Sequence, residues 1–218
     1  MKRLLVVMVL GSIKVAAQTV TFDRQPQGPT GKDWTVAMTH EGGAPKWEII
    51  ADPSAPSKPN VIAQTSTDNT SGRFPLAIYE KALFIDGAVS VRFKAVSGER
   101  DQAAGIVWRY KDPDNYYIVR ANALENNVVL YKVEGGKRIS LEPKGTPSKT
   151  YGVKHKVPKQ TWSTLKVDFD GARFSVFCDG AKVMEVEDTT FPSAGKTGLW
   201  TKADSVTYFD DFHIEKRK

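Results

Sequence analysis

The chain has 218 residues, with 31 Lys and Arg against 25 Asp and Glu and a formal net charge of +6. Its cations are scattered among acids, which excludes the concentrated basic face that a nucleic-acid partner needs. One cysteine, Cys178, excludes an intrachain disulfide, so the fold must rest on a hydrophobic core, which this length permits.

In chain order, Lys2 and Arg3 form a positive n-region, Leu4–Ile13 a short apolar run, and Val15-Ala16-Ala17 a small-residue cleavage signal. The run is shorter than the roughly 20 residues of a membrane span. It predicts a signal peptide over residues 1–17 and one domain over residues 18–218, secreted or periplasmic and free of the membrane after cleavage. Loss of Lys2, Arg3 and Lys14 lowers the charge from +6 to +3.

Strand signals dominate the chain from there on. Pro53, Pro56 and Pro59 make 52–58 a surface loop before a strand resumes at Val61-Ile62-Ala63. Asn69-Thr70-Ser71 fits a glycosylation sequon. Val89–Val96 and Leu165–Phe169 alternate apolar and polar residues with period two, as half-buried strands do. Asp170-Gly171, Asp179-Gly180 and Gly135-Gly136 are hairpin turns, since these residues tolerate positive φ. A second irregular region covers 143–158. Short strands with turns about every ten residues predict an all-β, two-sheet antiparallel sandwich.

The segment from Ala104 to Val133 yields a sheet face. Ile106–Tyr110 and Tyr116–Asn122 flank a Pro113 turn. Placing Tyr110 opposite Tyr117 puts Ile106, Trp108, Tyr110, Tyr117, Val119 and Ala121 on the core side, with Val128 and Leu130 of the next strand. The opposite face then carries Arg109, Tyr116, Arg120, Asn122 and Tyr131. Aromatic rings offer a platform for a pyranose face, and planar donors satisfy its hydroxyls, so these five are the candidate ligand-binding residues. The set requires Arg109 and Arg120 on one face. The same residue types also stabilise an ordinary solvated sheet.

In the closing strand, Val206, Tyr208, Asp210, Phe212 and Ile214 share the inward parity. A buried Asp210 must be hydrogen-bonded or must hold Ca²⁺ with Asp23 or Asp211; no other cofactor is expected. Catalytic patterns are sparse. His40, His155 and His213 are unpaired and read as surface histidines, and Cys178 as an inert buried thiol. Glu185 and Glu187 face solvent, and no E-x-D-x-E strand motif is present.

Ala104–Tyr110, Asp114–Tyr117 with Arg120, Leu130–Val133, Gly195–Thr201 and Phe209–Asp211 resemble the concanavalin A-like lectin/glucanase superfamily. Within it they are similar to laminin-G-like and 3-keto-disaccharide hydrolase-like domains. The resemblance implies a jelly roll whose concave face binds saccharide, with Arg109 matching the arginine after the family's G-I strand. Ala103-Ala104 stand where an asparagine-serine pair usually precedes that glycine. Three functions are expected on these grounds. The first is a secreted carbohydrate-binding protein in which Arg109→Ala or Tyr116→Ala weakens glycan retention. The second is a hydrolase or lyase acting on glycosides. The third is a non-catalytic envelope interaction module presenting Trp34, Trp47 and Trp200.

Overall fold

The computed structural model describes residues 16–217. The charged n-region and apolar run of the expected signal segment lie outside these residues; Ala16 and Ala17 open the first strand.

Seventeen strands and no helix are formed among the described residues. The first five are β1 (Ala16–Val20), β2 (Gly28–Pro29), β3 (Trp34–Thr39), β4 (Trp47–Ala51) and β5 (Asn60–Gln64). Next come β6 (Phe74–Phe84), β7 (Gly87–Ser97), β8 (Ala103–Asp112), β9 (Asn115–Asn122), β10 (Asn127–Glu134), β11 (Lys137–Ser140) and β12 (Val153–Lys154). The last five are β13 (Trp162–Asp170), β14 (Arg173–Cys178), β15 (Ala181–Glu187), β16 (Gly195–Trp200) and β17 (Val206–Lys216).

They build two antiparallel sheets, the jelly-roll sandwich expected from the sequence. One has nine strands in the order β15-β14-β13-β7-β17-β5-β4-β2, with β1 also on β17. The other has eight, β11-β10-β9-β8-β16-β6-β3, with β12 on β10. The expected hairpins form: Glu134 pairs Lys137 across Gly135-Gly136, and Cys178 pairs Ala181 across Asp179-Gly180. All four turn residues have positive φ, between 48° and 82°.

The main core lies between the sheets. Val89, Val91, Phe93, Val167, Phe169, Phe174 and Phe212 meet Ile106, Trp108, Tyr117, Val119, Val128 and Leu130. Trp108 stacks on Tyr117 at 5.4 Å and on Phe169 at 5.9 Å. Each such fully buried side chain contributes about 1.5–3 kcal/mol. Trp34, Trp47 and Trp200 are 5, 4 and 0% exposed, so the expected tryptophan patch does not form. Each packs on neighbouring rings, Trp34 on Phe22, Tyr79 and Phe212, Trp47 on Phe209, and Trp200 on Phe74.

The inward parity expected for the closing strand needs correction. Phe209 pairs core-facing Phe93, whereas Tyr208 pairs Lys94 and Asp210 pairs Arg92, both on the outer face. A bulge at Asp210–Asp211, where Asp211 has φ 47°, then returns Phe212 and Ile214 to the core. Asp210 is nonetheless fully buried, because the 52–59 loop covers it. Its carboxylate accepts hydrogen bonds from Ser57 N (2.8 Å), Ser57 Oγ (2.8 Å) and Asp211 N (2.8 Å).

The eight-stranded sheet buries its other face too. Phe74, Leu76, Ile78, Val107, Tyr116, Ile118, Val129, Tyr131, Val133 and Trp200 form a second apolar cluster there. Arg138 of β11 lies 4.7 Å from the Phe74 ring of β6. Five strand intervals separate β11 from β6, about 24 Å in a flat sheet, too far for an arginine and a phenylalanine to touch. The sheet is therefore strongly curved, and this second face is its concave side.

Candidate functional site

The β8–β9 register differs from expectation by a bulge. Trp108, rather than Tyr110, pairs with Tyr117, and pairing resumes at Asp112–Asn115. Three residues of β8 thus oppose the single Tyr116. Arg109 takes φ 47° inside that bulge, which reverses its side chain, and Tyr110 moves to the concave side, 6.0 Å from the Tyr116 ring.

Arg109 and Arg120 consequently lie on opposite sides of the sheet. The Arg109 guanidinium sits 5.9 Å and 5.6 Å from the Phe169 and Phe174 rings of the inter-sheet core. Its Nε donates to Ile85 O (3.0 Å), Nη1 to Phe191 O (3.0 Å), and Nη2 to Asp86 Oδ1 (3.0 Å) and Gly171 O (2.6 Å). It closes one end of the sandwich by tying three connecting segments together. The five-residue face expected from the sequence does not assemble.

Tyr116, Arg120, Asn122 and Tyr131 do share the concave side, but each is no more than 2% exposed. The Thr39 hydroxyl donates to Pro113 O at 2.6 Å, so the 2.7 Å contact between Tyr116 Oη and Thr39 Oγ1 has the phenol as donor. Burial pushes that phenol well above the usual tyrosine range. Arg120 forks onto Glu125, at 3.2 Å and 2.8 Å, and reaches Asn127 Oδ1 at 2.7 Å. Asn122 donates to Asp101 Oδ1 at 2.6 Å and caps the amides of Leu124 and Glu125. Burial works against the Glu125 carboxylate, but the hydrogen bond and charge of Arg120 outweigh it and hold its pKa below the glutamate range. Arg120 and Asn122 therefore organise the β9–β10 turn. Tyr131 lies beneath Arg120 and hydrogen-bonds the hydroxyl of exposed Tyr151.

Above this floor lies a groove of about 700 Å³ lined by His40, Phe74, Asp114, the 135–138 turn and Lys202. Arg138 crosses it. Its guanidinium carbon lies 4.5 Å from the Tyr131 ring, 4.7 Å from Phe74 and 5.9 Å from Trp200. Its Nη1 is buried and has no hydrogen-bond partner among the described residues. His40 bridges the walls, with Nδ1 2.9 Å from Gly72 O and Nε2 2.8 Å from Gly136 O. Lys202 is ion-paired with buried Asp101 at 2.6 Å. Asp114 is the one carboxylate in the lining and is exposed.

Hairpin geometry carries a sequence signal for Arg138 that the β8–β9 hairpin alone does not show. A two-residue turn at Gly135-Gly136 sets Arg138 opposite Val133, which shares its face with Tyr131. His40, Phe74 and Lys202 carry no such local signal, because strand order alone brings β3, β6 and the end of β16 to the groove.

The one group of three metal-ligand side chains among the described residues is His155, Cys178 and Asp179, away from Asp210. Asp179 Oδ1 accepts from Thr164 N at 2.7 Å, and burial pushes the Cys178 thiol up to about 12. That keeps the sulfur protonated and a poor ligand at neutral pH.

Known structures share the whole architecture. The carbohydrate-binding module CBM66 from Bacillus subtilis superposes with a TM-score of 0.60 at 20% identity, covering 83% of this chain and 93% of that one. A Bacillus subtilis protein of unknown function with a galectin-like fold gives 0.57 at 12% identity, covering 92% and 99%. Domain 4 of AbnA, an extracellular arabinanase from Geobacillus stearothermophilus in complex with arabinotriose, gives 0.53 at 14%, covering 94% and 93%. At these identities the likeness establishes the fold. No curated protein sequence matches the chain. A family model described as the 3-keto-alpha-glucoside-1,2-lyase-like domain matches residues 19–215, and the chain belongs to that family.

Proposed function

We propose that this protein is an exported saccharide-binding jelly roll whose ligand lies in the concave groove against Arg138. The observation that carries the reading is the guanidinium of Arg138, which lines a groove of about 700 Å³, lies against three aromatic rings, and has a buried Nη1 without a hydrogen-bond partner among the described residues. No side-chain hydrogen bond or ion pair of Arg138 is formed among the described residues, so its other N–H donors are available to a ligand oxygen in the groove. Saccharide binding in CBM66 and the arabinotriose held by the AbnA domain support the reading on the same fold. Export is supported by the n-region, apolar run and small-residue signal of residues 1–17. No helix among the described residues is long and apolar enough to cross a membrane.

A glycan array on residues 18–218 tests this directly. Retention of at least one saccharide class by the wild type, lost in Arg138→Ala with an unchanged melting temperature, is the expected result. Retention unaffected by Arg138→Ala and by Phe74→Leu would refute the placement.

The family description favours a second reading, a lyase or hydrolase acting on glycosides, in the same groove. The side chains there with acid–base chemistry are Asp114 and His40, and both His40 nitrogens already face carbonyls. Turnover of a 3-keto-glycoside panel, abolished by Asp114→Asn, would establish it. No turnover, with binding retained, would leave the binding protein.

A further inference from the structure

The charge around Arg138 carries the reading further, to the class of saccharide. Three cationic residues line the groove, Lys137, Arg138 and Lys202, against the single carboxylate of Asp114. Lys202 is neutralised by Asp101, and the His40 nitrogens are spent on Gly72 and Gly136. Arg138 differs from the chain's fully buried arginines. Arg73 is fixed by Gly43 O, Ala44 O, Ala203 O and Ser66 Oγ; Arg109 by four acceptors; and Arg120 by Glu125 and Asn127. Arg138 instead lies against aromatic rings, and no carboxylate or carbonyl among the described residues accepts from it. Contact with these rings restrains the guanidinium before a ligand arrives. A planar fork pairs best with an oxyanion, by two parallel charge-assisted hydrogen bonds. The aromatic floor of Phe74, Tyr131 and Trp200 excludes water from one side, which strengthens that pairing over its value in bulk solvent.

Given a saccharide in the groove, on which this assignment depends, we propose that the groove selects acidic saccharides. A ligand carboxylate or sulfate seats on the Arg138 guanidinium, with neutral ring faces against Phe74. Carboxylate and sulfate share the chemistry that Arg138 reads, and the assay separates them.

The test is calorimetry on residues 18–218 with trigalacturonic acid, its methyl ester, a sulfated carrageenan oligosaccharide and its desulfated form. The acidic member of at least one pair binds about tenfold tighter than its neutral twin, and the preference weakens as salt rises from about 50 to about 500 mM. Arg138→Gln, which keeps a planar amide without the charge, removes the preference for the acidic member of the pair. Arg138→Lys restores only part of it, because the fork is gone. Which pair shows the preference identifies the anion. Equal binding of acid and neutral forms, lowered equally by Arg138→Gln, would overturn the acidic selection and leave the saccharide site standing. A folded wild type that binds none of the four and nothing on the array would overturn both.

Discussion

Arg109 is the side chain whose role the structure changes most, and replacing it with alanine separates the two accounts. In the structure it is 4% exposed and makes four hydrogen bonds, three to the backbone carbonyls of Ile85, Gly171 and Phe191. The fourth is an ion pair with Asp86 at 3.0 Å, whose carboxylate also accepts from Gly171 N at 2.8 Å. Hydrogen bonds to a charged group contribute about 1.5–3 kcal/mol each when fully buried. Here Asp86 is partly exposed and water can replace part of the set, so the sum is well below four times that figure. Truncating one member of a buried charged network costs about 3–5 kcal/mol, and that is the expected loss for Arg109→Ala. For a domain of this size the melting temperature then falls by roughly 10 °C. Saccharide affinity per folded molecule should not change, because Arg109 lies on the far side of the sheet from the groove. Urea unfolding gives the stability, and array or calorimetric binding in the cold gives the affinity. A variant within about 1 kcal/mol of wild type that has lost glycan retention would refute this placement and restore the five-residue face.

Local geometry gives three further expected outcomes. Gly195→Ala should destabilise by about 3 kcal/mol or more, because its Cβ would lie 2.4 Å from Arg109 C and 2.7 Å from Tyr110 N, backbone atoms that cannot rotate away; an unchanged urea midpoint would contradict that. Burial holds the Cys178 thiol up near 12, so a disulfide reagent at mildly alkaline pH should label it only on unfolding, with native labelling at least about a hundredfold slower than in urea. At Asp204, burial raises the carboxyl, but the amides of Arg100, Glu99 and Asp101 outweigh it, leaving the pKa below the aspartate range. A depressed carboxyl contributes stability above its unfolded pKa of about 3.9 and loses it as pH falls through the folded value. Melting curves from neutral pH down to about 2.5 should therefore show a shallower acid limb for Asp204→Asn than for wild type, and coincident limbs would exclude that contribution.

Period-two patterning makes most of the architecture readable, since Val89–Val96 and Leu165–Phe169 alternate with few exceptions and the turn pairs mark their hairpins. It fails at the two bulges. Arg109 and Asp211 each take φ 47°, a conformation that leaves no mark in an alternating pattern, and each reverses the parity of its neighbours. The assumption that an arginine must leave the core is also misleading here. Polar side chains are tolerated there when their donors find acceptors, and for Arg109 those acceptors come from turns distant in sequence. The groove is illegible for a related reason: Phe74, Arg138 and Lys202 meet because β11 curls over β6, and curvature is a property of the assembled sheet.

The central strands of the eight-stranded sheet are buried on both faces, with one cluster toward the partner sheet and another beneath the groove. They thus have no soft side on which to repack, and amides of β8, β9 and β16 should be among the last to exchange with solvent. On the proposed reading, recognition falls to Arg138 and to the rim, where His40, Asp114, Lys137 and Lys202 sit on or next to turns. A handful of rim substitutions can then retune what the scaffold holds while the tabletop beneath stays fixed.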